Sequence, residues 1–358
     1  MKKQVVDLLE QERWLDQRAL LGFDGSHDSI VRVVKTKNDN ETVEFKDIGE
    51  FGKYLSTKKG LSCALEICPV ASKIGGNMPL LSVALAKLGI SVNAIGAFGY
   101  PAESPNFSEF TALCNSYSVG PPTECLALEF DDGKVMLYEN KFDEICWDRI
   151  TQIVGTDLIA EMFNDASLIG LLNWSEVKNS NEIWRKLQSD IVPLAEKKNR
   201  IVMVDLADCS MKSNADLQEG LALISKFQSC ANVILSLNEN EARIICGVID
   251  GGEEHTIVQM GEIIKRFLEI HLVVIHALKE SYAWQEKRKM VCMPGFYTST
   301  PMVSTGGGDN FNAGLCVGYL AGADIEEMLY LAMAVSGYYV RTGESPTKDD
   351  LLEFIKQN

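Results

Sequence analysis

The chain reads as an α/β protein: a parallel sheet covered by helices on both faces, with a small β appendage. Three observations lead there. Short apolar runs at 168–172, 201–205, 233–237 and 272–276 are separated by stretches of helical spacing near 181–198, 214–229, 239–246 and 256–270. Strand–helix alternation at that interval builds parallel sheets with helices on their faces. The β-rich pieces at 30–48 and 124–139 are not interleaved with long helices, so they form a separate small appendage. No internal repeat, low-complexity tract or Pro/Ser linker divides the chain, so residues 1–358 are read as a single domain.

The elements follow in order. Residues 3–17 place Val5, Leu8, Leu9 and Leu15 near helical spacing. Ala19-Leu20-Leu21-Gly22-Phe23 is a short buried strand. Residues 30–34 and 42–48 are apolar or β-branched and read as strands, as does 61–68. Residues 79–88 form a helix closed by Gly89 at the position after its C-cap. A strand follows at 91–95, then helical spacing over 106–117. Two apolar runs flank Asp131-Asp132-Gly133, and Asp-Gly is a strong hairpin signal. Helices at 309–321, 325–341 and 348–357 close the chain.

Composition limits the function classes. With 46% hydrophobic and 23% charged residues the chain is an ordinary globular protein with a sizeable core. A net charge of −16 repels nucleic-acid phosphates and anionic membranes, and no basic patch offsets it. Neither nucleic acid nor membrane is therefore an expected partner. An anionic substrate must be met by local devices: backbone N–H groups, a metal or a few cations. The ten cysteines include no C-x-x-C pair, and His27, His255, His271 and His276 are scattered, so no zinc spacing arises. Reduced thiols in a cytoplasmic protein are the expectation. The start, Met1-Lys2-Lys3, turns acidic at Asp7, Glu10 and Glu12, unlike a signal peptide, and no apolar run is long enough to span a bilayer.

The most informative segment is Ser304-Thr305-Gly306-Gly307-Gly308-Asp309-Asn310-Phe311-Asn312-Ala313-Gly314. Glycines let the backbone approach a ligand closely. The helix that follows aims its free N–H groups and positive dipole end at the loop, which makes a seat for phosphate. A carboxylate there repels an anion, so Asp309 is better suited to take a proton from the group that attacks the phosphate. Loop plus base suggests phosphoryl transfer to a hydroxyl. A plain turn with Asp309 as N-cap is the alternative. In open parallel sheets, ligands sit at the carboxyl ends of strands. Gly22–Asp28, Asn238–Glu241 and His276–Ser281 fall there in sequence, and Gly75-Gly76 and Thr305–Asp309 each precede a helix.

These pieces together resemble the ribokinase (PfkB-type) carbohydrate kinase family, in the family's order, from about residue 19 to 347. Gly75-Gly76 followed by Ser82-Val83-Ala84-Leu85-Ala86-Lys87-Leu88-Gly89 is similar to its first signature, and Gly96-Ala97-Phe98-Gly99 to the strand end after it. Asn238-x-x-Glu241 resembles its Asn-x-x-Glu element. Thr305–Gly314 closely resembles its second signature, with Gly307 where Ala is usual.

The resemblance implies a ribokinase-like three-layer α/β/α fold with the β appendage (30–48 and 124–139) as a lid over a sugar. It implies ATP and Mg²⁺. Asp309 would be the base and Gly306, Gly307 and Gly308 the anion hole. Asn238, Glu241, His276 and Thr305 would lie at the nucleotide and its phosphates, with Glu241 reaching Mg²⁺ through water. Gly75 and Gly76, with Asp24 or Asp28, would bind sugar hydroxyls. Such lids often pair across a homodimer, here through 124–138.

The departures are Val303 where the family has an Asp tied to a monovalent cation, and Leu80 where Asn is common. His276-Ala277-Leu278 replaces Thr-x-Gly, and Asp205-Leu206-Ala207-Asp208-Cys209-Ser210 replaces Asp-x-Asn-x-Arg. They leave a rival open: a catalytically weakened binding or regulatory protein on the same fold. Retention of Asp309 and its glycines favours the enzyme. A dinucleotide dehydrogenase would need an early G-x-G-x-x-G, and a P-loop enzyme G-x-x-x-x-G-K-[S/T]; neither is present.

Overall fold

In the computed structural model, which describes residues 1–39, 41–139, 142–196, 199–286, 288–303 and 305–358, two sheets stand out. Ser304, residue 40 of the 30–48 segment and the last two residues of the helix expected near 181–198 lie outside the described residues. The larger sheet has nine strands in the spatial order Val291–Pro294, Glu280–Gln285, Leu272–His276, Asn232–Asn238, Ile201–Asp205, Leu168–Leu171, Arg18–Gly22, Ser91–Gly96, Asn115–Ser118. Among these nine, Glu280–Gln285 alone runs against the others, so it pairs antiparallel with both of its neighbours.

Strand pleating explains the layers. Ala19 and Leu21 enter one core and Leu20 the other; Ile201 and Met203 part from Val202 and Val204 in the same way. One face is covered by the helices Asn77–Lys87, Gly307–Ala321 and Ile325–Thr342. The other is covered by Asn214–Phe227, Glu239–Asp250 and Ile257–Leu268. Burial on both sides is why these runs are apolar throughout.

The second sheet holds Ser26–Lys37, Thr42–Glu44, Ile67–Gly75, Thr123–Phe130 and Gly133–Tyr138. Its own small core joins Phe45 and Phe130 to Phe51 of the helix Ile48–Ser56. It is built from more of the chain than the two expected segments. Ser26–Lys37 begins four residues before 30, and Ile67–Gly75 adds a strand.

Several elements differ from expectation. The strand placed at 61–68 lies instead at Ile67–Gly75. Among the described residues it pairs with Ser26–Lys37 alone, and an edge strand tolerates Pro69, which reads as a breaker in sequence. The 106–117 helix is a short helical piece ending at Leu113, followed by the strand Asn115–Ser118. The 42–48 strand stops at Glu44, because Asp47 caps the helix that starts at Ile48. The helix near 181–198 unwinds after Lys186 and is broken at Pro193. The first helix ends at Glu10.

Candidate active site

The glycine segment folds as a helix start. Gly306 is the N-cap of Gly307–Ala321, in left-handed backbone at φ 89°, and Asp309 is the third residue of the helix, not its cap. A side chain on Gly306 would place its Cβ 2.5 Å from the Tyr339 hydroxyl, which donates to the Thr305 carbonyl at 2.8 Å. The first helical N–H with a backbone acceptor is that of Asn310, on the Gly306 carbonyl at 3.0 Å. Those of Gly307 and Gly308 belong to the first turn, which has no intrahelical acceptor to offer them, and that of Asp309 bonds its own carboxylate.

Asp309 is buried. Burial pushes its carboxyl well above the ordinary 3.8, and the nearby Asp205 and Asp24 push it further, while a hydrogen bond from the Asn77 side chain opposes them.

The glycine pair stands where bulkier residues would meet two acidic side chains. Gly76 is the N-cap of Asn77–Lys87 at φ 92° and carries no side chain to cap with. Asp24 supplies the cap from the end of the first strand. Its two oxygens accept from the backbone N–H of Asn77 (2.8 Å) and Met78 (2.9 Å), and one also accepts from Asn173 Nδ2 (2.7 Å). Burial raises Asp24 to about 7. A Cβ on Gly76 would meet Asp24, and one on Gly75 would meet the Asp28 carboxylate. The pair therefore makes room for two carboxylates.

Two cavities meet at this helix end. One, of about 230 Å³, is polar and lined by Asp28, Gly76, Asp205, Glu241, Thr305, Gly306, Gly308 and Asp309, among others. The second, of about 320 Å³, is largely apolar, with Ala277, Leu278, Phe296, Phe311, Met333 and Val340 on its walls and Gly307 at its edge. Asn238 and His276 line both. Asp24 and Gly75 stand one layer behind the polar wall. Asp28, which accepts from the Ser26 hydroxyl at 2.8 Å, is on it.

Asn238 and Glu241 are locked to each other. The Asn238 side chain accepts from the Glu241 N–H (2.9 Å), and Glu241 accepts from the backbone and amide of Asn238 (2.8 and 2.6 Å). Glu241 is no solvated first-turn residue. It is buried, and burial together with Asp205 raises its carboxyl well above 4.5. His276 packs on Phe311, ring centres 4.9 Å apart, beside Gly308. Burial lowers its imidazole to about 4, so it is neutral near pH 7.

Residues that sequence reasoning did not single out complete the wall. Asp205 accepts from the Ala207 N–H (3.0 Å) and from Asn312 Nδ2 of the Asp309 helix (2.7 Å). A usable signal existed: it is the one acid ending the apolar run 201–205. Asn77 follows the glycine pair and Met136 and Tyr138 fall in the 124–139 segment, so their segments were legible though the residues were not, whereas Asn173 and Glu176 had no signal in their neighbours. No group of three or more His, Cys, Asp or Glu among the described residues is arranged to hold a metal directly. No helix among them is long and apolar enough to cross a membrane.

Comparison with known proteins places this geometry. The Arabidopsis thaliana ribokinase, solved with ribose and ATP, superposes with a TM-score of 0.63 at 16% identity, covering 95% of this chain and 99% of that one. The adenosine kinase of Sinorhizobium meliloti gives 0.64 at 15%, over 96% and 99%. The fold is ribokinase-like, and the enzyme is a carbohydrate kinase that phosphorylates a sugar. A model of the prokaryotic ketohexokinase family matches residues 6–358, and the chain belongs to that family. The ketohexokinase of Haloferax volcanii is 28% identical over 342 residues, 94% of this chain and 90% of that protein.

Proposed function

We propose that the chain transfers the terminal phosphoryl group of ATP to a hydroxyl of a ketohexose, with Asp309 as base. The observation that carries the reading is the place of Asp309: buried, in the first turn of a helix that opens on glycines, where a polar and an apolar cavity meet. The Haloferax relative, a ketohexokinase, supports the sugar class.

The sugar sits in the polar cavity against Asp28, Gly76 and Asn77, with Asp24 and Gly75 holding that wall from behind. The nucleotide lies in the apolar cavity, its phosphates against Asn238, His276 and Thr305. Asp309 takes the proton of the attacking hydroxyl. The sugar oxygen bonds to phosphorus as the bond to the bridging oxygen breaks, ADP leaves with that electron pair, and the proton passes from Asp309 to water. Charge on the transferred oxygens is met by the N–H groups of Gly306, Gly307 and Gly308 and by the positive helix end. Positioning and charge stabilisation supply most of the catalysis in such transfers.

The polar cavity carries Asp28, Glu176, Asp205, Glu241 and Asp309, with no Lys or Arg among its lining residues. Oxygen donors of this kind suit Mg²⁺, and Glu241 and Asp205 would hold it through water. When bound, Mg²⁺ neutralises phosphate charge that this acidic wall repels. The small sheet, which brings Met136 and Tyr138 to the cavity, acts as the lid.

The test is ADP release with ATP and Mg²⁺ across ketohexoses, aldohexoses, pentoses, nucleosides and sugar phosphates. A ketohexose should give the highest kcat/KM, and Asp309→Asn should lower kcat roughly 10²–10⁴-fold while the protein still folds. No release with any ketohexose, or near-normal turnover by the variant, overturns the reading.

A further inference from the structure

We propose that Tyr339 is a further positioning residue for phosphoryl transfer: its hydroxyl, acting through the Thr305–Gly306 peptide, aims the Gly306 N–H into the polar cavity. This deepens the kinase reading and rests on it for the anion hole.

The end of one helix grips the approach to the glycine turn. Ile325–Thr342 closes at Gly343, and the last carbonyls of a helix have no acceptor role within it. The Val340 carbonyl is one of these, and it takes the N–H groups of Met302 (2.8 Å) and Val303 (3.4 Å) instead. Next along the helix, the Arg341 guanidinium donates to the carbonyls of Phe296 (2.7 Å) and Tyr297 (2.9 Å). Gly337 lets that stretch lie close, since a Cβ there would stand 2.6 Å from Phe296 Cβ. The grip reaches the turn itself at Tyr339, whose hydroxyl donates to the Thr305 carbonyl at 2.8 Å.

The peptide plane carries this hold into the site. Thr305–Gly306 is a trans peptide, and the C=O and N–H of a planar trans peptide point in opposite directions. Thr305 and Gly306 line the polar cavity, whereas Tyr339 is on the wall of neither cavity. The carbonyl is thus drawn to the back of the turn, and the Gly306 N–H is directed to the front. The close approach depends on glycine: at φ 89°, a Cβ on Gly306 would stand 2.5 Å from the Tyr339 hydroxyl oxygen. Tyr339 is buried, and burial, with Asp309 and Asp28 nearby, pushes its phenol up, so it stays protonated as a donor.

A donor aimed in advance acts chiefly on charge that develops in the transition state. Losing such a donor outright costs about 10²–10³ in kcat, and misaiming one costs less. Tyr339→Phe keeps the ring and removes the hydroxyl. It should lower kcat about tenfold while the KM values for sugar and ATP stay within about twofold. Gly306→Ala should cost less in the Tyr339→Phe background than in the unmodified enzyme, because the hydroxyl that its Cβ would meet is gone. In the ligand-free protein, hydrogen exchange of the Asn310 amide, which donates to the Gly306 carbonyl, should accelerate in Tyr339→Phe. A folded Tyr339→Phe enzyme with a lower Tm but kcat within about twofold of the unmodified one would mark a merely structural residue and overturn the proposal. Strictly multiplicative effects in the double variant overturn it too. Absence of sugar-dependent ADP release by the unmodified enzyme counts instead against the kinase reading, and unchanged Asn310 exchange overturns the hold on the turn independently of turnover.

Discussion

Asp309 shows how the site tunes a single side chain. Burial is the largest influence on it, and Asp205 is the next. A base whose pKa lies nearer the working pH accepts a proton more effectively. In its proposed role as base Asp309 must be ionised to act, so kcat/KM should fall as pH drops through a midpoint above that of an ordinary carboxylate. Asp205→Asn removes a neighbouring negative charge and should move this midpoint to lower pH; a pH–rate profile that stays in place would show the two groups are not coupled. Gly306 is constrained differently. At φ 89°, with Tyr339 against it, Ala at this position costs about 1–2 kcal/mol in backbone strain alone. Gly306→Ala should therefore lower kcat by at least about tenfold, with a smaller effect on Tm, because the strain falls on the helix start proposed to hold the phosphoryl charge.

At the scale of elements, the helix Gly307–Ala321 is the common part. Its first turn carries Asp309, and Asn312 one turn later ties it to the end of the strand Ile201–Asp205. The approach to its N-terminus runs through Met302, whose N–H donates to the Val340 carbonyl at 2.8 Å, and Val303, whose N–H reaches the same oxygen at 3.4 Å. Val303 offers no carboxylate to a monovalent cation, and carboxylate is a usual ligand for hard cations. Activity should then differ by less than about twofold between potassium and sodium salts at equal ionic strength. A several-fold rise specific to potassium would mean that other groups rebuild such a site.

Strands were legible where burial on both faces makes them apolar, as at Ile201–Asp205 and Asn232–Asn238. They were not at Glu280–Gln285 or Ile67–Gly75, whose mixed residues leave no such run.

At the scale of the whole molecule, acidity dominates. Asp24, Asp28, Asp205, Glu241 and Asp309 all have raised pKa values, chiefly from burial. Asp24 moves from 3.8 unfolded to about 7 folded. Its contribution to stability is fully present below 3.8 and lost as pH rises through about 7. The others act in the same direction, and so does relief of the −16 net charge. Ligand-free protein should therefore show a higher Tm near pH 5.5 than near pH 8. About 0.5 M NaCl screens surface repulsion but not buried groups. If that salt abolishes the difference, the surface charge is its cause.

The small sheet leaves Ile67, Val70 and Leu137 exposed, a surface suited to pairing with a second copy. Light scattering should report a homodimer at micromolar concentration, and Leu137→Lys should shift it to monomer. Phe130, buried in the sheet's own core, is not a fair probe of that contact.

By itself, the sequence determined what depends on neighbours along the chain. The apolar runs specified a parallel sheet, the Gly-Gly-Gly-Asp segment specified a helix end with a carboxylate in its first turn, and Asn238-x-x-Glu241 formed the capping box its spacing allows. Only the tertiary structure decided how distant segments share the site. It placed Asp24 behind the wall and Asp28 on it, because the former is consumed in capping the Asn77–Lys87 helix. It brought Asp205, Glu176 and Tyr138 to Asp309's cavity from three different strand ends. It also raised the carboxylates' affinity for protons, since desolvation depends on what surrounds a group in space, and local sequence carries no record of that.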